Sequence, residues 1–195
     1  MSAPSTASRK IKFLWGAVTL LCGIGLGWWF HYSYHPTPSF TSQGDIGNVR
    51  VCFSPNGHCL EQLLDQINQA RESIRVQGYS FTSAPIAMAL IKAKEKGVKV
   101  EIILDKSQKR ASHSQFNRFL HEGMALWIDH KPAIQNNKVM IIDGKTLLTG
   151  SYNWTNAAEH RNAENLLMIE DTPTLLQHYM HNFNKRRSLS QRIRG

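Results

Sequence analysis

At 195 residues and 42% hydrophobic content, the chain holds enough apolar material for one folded domain plus an appendage. The net charge of +9 suggests an anionic partner, but Arg9, Lys10 and Lys12 crowd the start and Lys185, Arg186, Arg187, Arg192 and Arg194 the end, which leaves about +1 for everything between. A uniformly basic nucleic-acid face is therefore not indicated.

From Phe13 to Phe30 no residue is charged; "RKIK" precedes the stretch and "WWF" ends it. Its length and aromatic outer edge predict an uncleaved membrane anchor, with the basic flank kept in the cytoplasm and the remainder across the membrane. A cleaved secretory signal is the alternative, although "GLGWWFHYSYH" offers no small-x-small cleavage site. Cys22 lies inside this span and receives no role. Residues 31–47 are rich in Pro, Ser, Thr and Gly without periodicity and read as a linker.

The folded domain is expected over 48–187. "NVRVCF" alternates like a strand, "SPNGH" is a loop, and Leu60, Leu63, Leu64, Ile67 and Ala70 recur at helical spacing through Arg71. "SIRVQGYSF" reads as a strand, and Pro85 opens a helix that runs through Lys96 to a capping Gly97. "VKVEIILD" is a strand, "KSQKRASHS" a polar loop, and Phe116, Phe119 and Leu120 mark a helix. "ALWID", two strands around Asp143-Gly144, and "AENLLMIED" complete the strands; "TPTLLQHYMHNFNKRR" closes with a helix, and 188–195 read as a basic tail. Alternation in the first half argues for parallel pairing and the hairpin adds antiparallel neighbours, so the expected fold is α/β, a mixed sheet sandwiched by helices. Cys52 and Cys59 could form a disulfide across the Pro-Asn-Gly turn in an oxidising compartment, or remain two half-buried thiols; a zinc site would need more than His58 beside them.

The chemistry gathers in "IQNNKVMIIDGKTLLTGSYNWT", residues 134–155. An ammonium supplies a compact positive charge, and Ser and Asn side chains supply neutral donors, so Lys138, Ser151 and Asn153 suit a phosphodiester. The spacing Asn136, Lys138, Asp143, Gly150, Ser151, Asn153 resembles the phospholipase D superfamily pattern HxKxxxxDxxxxxxGSxN at every fixed position except the first, where the family has histidine. "FSPNG" and "NAEN" (Asn162–Asn165) extend the resemblance over roughly 49–185, and the single motif is similar to the bacterial endonuclease branch.

That resemblance implies a homodimer in which two motifs face one phosphorus centre. One histidine attacks to give a phosphohistidine and the other protonates the leaving oxygen, with no metal or other cofactor. It assigns Asp143 to orienting a histidine and gives Glu164 an acidic place nearby. Asn136 can do neither histidine's work, because its amide lone pair is delocalised; it is what a silenced enzyme would carry, whether engineered or natural. His130 and His160 read as surface residues rather than substitutes, and His31, His35 and His58 as linker or loop residues. Lys106, Lys109 and Arg110 follow a strand end, where they could guide a nucleic-acid backbone or simply be solvated. Trp127 and Trp154 both read as candidate core residues, and Trp154, just after Asn153, is the better candidate of the two for the rim of a substrate groove.

Three functions are carried forward. The first is a metal-independent endonuclease cutting DNA or RNA, the second a phospholipase D acting on phospholipid head groups, and the third a catalytically dead module that still binds phosphate or nucleic acid. The anchor places any of them at a bacterial inner membrane facing the periplasm, or exported to the periplasm or secreted.

Overall fold

The computed structural model describes residues 48–194; the anchor segment and the linker lie outside the described residues. Eight strands form one sheet: β1 (Asn48–Ser54), β2 (Ser73–Gly78), β3 (Lys99–Asp105), β4 (Ala125–Asp129), β5 (Val139–Ile142), β6 (Thr146–Gly150), β7 (Glu164–Glu170) and β8 (Gln191–Ile193). Helices α1 (Cys59–Gln69), α2 (Ala84–Glu95), α3 (Phe116–His121), α4 (Asn156–His160) and α5 (Pro173–Leu189) pack on it. The spatial order is β1-β7-β6-β5-β2-β3-β4-β8. Parallel pairing holds β2, β3 and β4 together, and every other neighbouring pair is antiparallel. The expected mixed sheet between helices is what forms.

Side-chain alternation along the strands divides the interior. One face sends Ile74, Val76, Ile102, Leu126 and Met140 into a large core with Leu63 and Ile67 of α1 and Ile86 and Leu90 of α2. The opposite face has two halves. Over β5, β6 and β7, Val139, Ile141, Leu147 and Ile169 meet Leu176 of α5 in a smaller apolar cluster. Over β2, β3 and β4 the same face is charged: Glu101 is 3% exposed and Asp129 fully buried. Buried carboxylates are costly unless paired, and α5 supplies the partners. Arg187 bonds Glu101, which also meets Arg75 at 3.4 Å, while Arg186 holds Asp129 with Nε at 2.7 Å and Nη2 at 2.6 Å.

This corrects the reading of a basic tail. Arg186 and Arg187 are structural counter-ions, α5 continues to Leu189, and Gln191–Ile193 add strand β8 to β4. The guanidinium groups of Arg187 and Arg192 lie 5.8 and 5.3 Å from the ring centre of Trp127, which is a half-buried platform rather than core. Cys52 of β1 and Cys59 at the start of α1 are joined by a disulfide.

Two other boundaries move for identifiable reasons. α1 stops at Gln69 because the N–H groups of Arg71, Glu72 and Ser73 turn to the Asp143 carboxylate, at 2.9, 2.8 and 2.9 Å. The strand expected to reach Phe81 ends at Gly78; Phe81 instead bridges to Trp154.

Candidate active site

The register places one end of six neighbouring strands along a single edge. Phe53 of β1 faces Asn165 of β7, Gly150 of β6 faces Leu166, Val139 of β5 faces both Thr149 and Gln77, and Gln77 of β2 faces Ile103 of β3. Lys138 enters β5 here, Ser151 leaves β6 here, and Glu164 opens β7 here. The hairpin that generates this order turns through Asp143, Gly144 and Lys145; Asp143 and Gly144, with φ values of 52° and 63°, take left-handed conformations, and Lys145 N–H closes the turn on the Ile142 carbonyl at 2.9 Å.

At the edge the side chains are arranged as donors. The Lys138 ammonium donates to the Asn136 carbonyl oxygen at 2.9 Å and to the Asn136 side-chain oxygen, and it lies 5.3 Å from the centre of the Tyr79 ring. Burial lowers the Lys138 pKa from 10.5, and the nearby negative charge of Glu164 works against that shift. Both Asn136 oxygens accept from Lys138, and the residue itself is exposed.

The Ser151 hydroxyl oxygen accepts from Asn165 N–H at 3.1 Å and from the Asn165 amide at 3.4 Å. Its own proton is left to donate to a ligand. Such close strand contact requires glycine at 150: a Cβ there would stand 2.3 Å from the Asn165 carbonyl oxygen, which itself accepts from the N–H groups of Ser151 and Tyr152 at 3.1 and 3.2 Å. Asn153 follows with its side-chain oxygen buried and without a hydrogen-bond partner among the described residues. The Glu164 carboxylate accepts from the Asn162 amide at 3.0 Å, and the Asn162 carbonyl in turn receives the Ser54 hydroxyl at 3.2 Å, which ties the "FSPNG" and "NAEN" segments together.

The loop before the motif is anchored from β3. Asp105, 2% exposed, accepts from the N–H groups of Gln135 and Ser107, each at 2.8 Å. Burial alone would raise its pKa, but these bonds and Lys106 carry it below 3.8. Gln135 then accepts from Asn137 N–H at 2.7 Å, so a buried carboxylate two strands away fixes the approach to Asn136.

Several expected residues are placed elsewhere. Asp143 sits at the opposite end of β5 from Lys138, five residues away and so about 16 Å by strand rise. Its carboxylate is filled by the three N–H groups of Arg71–Ser73, which outweigh burial and lower its pKa from 3.8. It braces the fold and does not reach position 136. Trp154 is fully buried, donating its indole N–H to the Gln77 carbonyl at 2.9 Å, so it is core and not a groove rim. His130 and His160 are exposed, and Lys106 donates to the Pro132 carbonyl at 3.2 Å, while Lys109 and Arg110 are exposed beyond it.

One residue went unnoticed in the sequence. Glu159 of α4, 8% exposed, accepts the Tyr152 hydroxyl at 2.8 Å and Leu60 N–H at 2.9 Å. Burial and this carboxylate push the Tyr152 pKa upward, so the phenol stays a neutral donor. The bond clamps the Ser151–Asn153 run onto the start of α1. Thr155, which caps α4 by accepting Ala158 N–H at 3.0 Å, was the available signal for that helix.

Comparison with known proteins agrees with this fold. A family model described as "Cardiolipin synthase, PLD-like domain" matches residues 63–187. A phospholipase D of Rickettsia prowazekii is 34% identical over 202 residues, covering 95% of this chain and 98% of its own. A mitochondrial cardiolipin hydrolase of Chlamydomonas reinhardtii is 32% identical over 126 residues, covering 65% of this chain and 56% of its own. Among solved structures, the phospholipase D family member Nuc of Salmonella typhimurium superposes with a TM-score of 0.72 at 35% identity, over 76% of this chain and 99% of that one.

Proposed function

The chain belongs to the phospholipase D superfamily of phosphodiesterases, in its single-motif, endonuclease-like branch, and we propose that it is a homodimeric, metal-independent endonuclease whose turnover is silenced at Asn136. The observation that carries this reading is the donor-lined sheet edge. Lys138 enters β5 and Ser151 leaves β6 at that edge, the Ser151 hydroxyl keeps its proton for a ligand, and in this reading these groups, with the Asn153 amide, meet a phosphodiester's oxygens. In this reading Lys138 neutralises the phosphate, and Ser151 and Asn153 orient it and stabilise charge gathering on its oxygens as the new bond forms.

What the site lacks is a nucleophile. With histidine at 136, one copy's imidazole would form a P–N bond as the P–O bond to the leaving group breaks, and the partner's imidazolium would pass its proton to that oxygen; water would then release the phosphate. In this reading Glu164, whose charge opposes the Lys138 shift, is the carboxylate partner for such a ring. Asp143 supports the hairpin from its far end.

A second reading, hydrolysis of phospholipid head groups, is favoured by the names of the Rickettsia and Chlamydomonas relatives and by an anchor that would hold the site near a bilayer. The test is to install Asn136→His and assay plasmid DNA and head-group-labelled phospholipid with chelator present. DNA cleavage supports the endonuclease, release of head group alone replaces it with the lipase, and retained binding with neither activity leaves a phosphate-binding module.

A further inference from the structure

On the α5 side of the same sheet edge lies a cavity of about 240 Å³, lined by Gln77, Asn137, Val139, His178, Tyr179 and Asn182. It adjoins the motif directly. Asn137 stands between Asn136 and Lys138, and Val139 pairs with Gln77 across β5 and β2. His178, Tyr179 and Asn182 share one side of α5, with His178 and Asn182 one turn apart.

The lining contains no Asp, Glu, Lys or Arg. A charged head group would find no counter-ion there. Four of the six residues carry an amide or an imidazole, which offer donors and acceptors together, while Tyr179 contributes a ring and Val139 an apolar wall. Gln77 is 2% exposed and its Nε2 has no hydrogen-bond partner among the described residues. A buried donor left in that state is destabilised relative to one that meets an acceptor. The volume falls below the roughly 300–1,000 Å³ of pockets that hold drug-sized ligands. It suits a single planar ring system and is too small and too polar for an acyl chain.

We propose that this cavity receives one nucleobase of the strand whose phosphate lies on Lys138. The base's edge would meet the amides of Gln77, Asn137 and Asn182, and its face Tyr179. This rests on the endonuclease reading above and adds to it a base preference set beside the scissile bond.

The test uses the full chain carrying Asn136→His and two oligonucleotides that differ only in an abasic position flanking the cut. Adding Asn182→Ala, at an exposed helix position, should reduce the rate ratio of base-bearing to abasic substrate by about five- to tenfold, the worth of one neutral hydrogen bond. A ratio near one before this change, or one unmoved by it, overturns the proposal while leaving the endonuclease standing. No cleavage of either oligonucleotide removes the endonuclease reading and this inference with it. Independently of turnover, a nucleoside 5′-monophosphate added to the unaltered chain should shift the side-chain amide resonances of Asn137 and Asn182. Inorganic phosphate should not; identical shifts from both ligands contradict a base subsite.

Discussion

The two ends of the β5–β6 hairpin carry residues of the same motif and do opposite things. At the Asp143 end the carboxylate has three N–H partners at 2.8–2.9 Å. At the Lys138 end a donor is held in reserve: the Ser151 hydroxyl accepts twice from Asn165 and keeps its proton free. A filled site holds a fold together, and an unfilled one with matched polarity holds a ligand. Motif membership alone does not distinguish these roles, whereas counting satisfied donors and acceptors does.

The contrast can be broken most sharply at Asn136. Asn136→His should raise phosphodiesterase turnover by something on the order of 10⁶, read as plasmid nicking under chelator, with no comparable gain from any change at Asp143. Lys138→Ala should come next. Losing a charge-assisted contact is expected to weaken phosphate binding by about 10- to 100-fold by calorimetry, with little change in thermal unfolding. The pKa of Lys138 is lowered from 10.5, so anion affinity of the intact chain should fade with rising pH earlier than an ordinary lysine would allow.

Asp143→Ala should do the reverse, costing about 1–3 kcal/mol of stability by denaturant titration while phosphate affinity per folded molecule is unchanged. Its folded pKa lies below 3.8, so the stabilisation is fully present above that value and is lost as pH falls through the lower folded one. The smallest effect belongs to Glu159→Gln. An amide oxygen can still accept from Tyr152 or Leu60, so stability should drop by only about 1 kcal/mol, while restored turnover falls a few-fold as the Ser151–Asn153 run loosens.

Much of this was legible in the sequence where local pattern decides structure. The alternating and apolar runs gave the strands, Pro85 and Gly97 bracketed α2, and the Asp-Gly pair gave the hairpin turn whose φ values confirm it. The motif spacing marked Lys138 and Ser151, and the "NAEN" resemblance marked Glu164; the fold brings all three to strand ends along one edge. What failed depended on partners far away in the chain. Arg186 and Arg187 counted only as charge crowded at the end of the sequence because their partners Asp129 and Glu101 lie 57 and 86 residues earlier. Asp143 looked catalytic because spacing is silent about which end of a strand a side chain occupies. For Trp154 the sequence left core and groove rim both open, and only its N–H bond to the distant Gln77 carbonyl decides for core. Strand β8 has three residues and no alternation long enough to detect.

The central claim is that the cradle is complete and only its nucleophile is missing. Rapid acid or alkali quenching of Asn136→His during turnover of a ³²P-labelled oligonucleotide measures this directly. Label should be retained on the protein through an acid-labile, alkali-stable bond, lost again on adding Lys138→Ala and never seen in the unaltered chain. Hydrolysis with no labelled protein at any quench time, or labelling of the unaltered chain at the same rate, would contradict it.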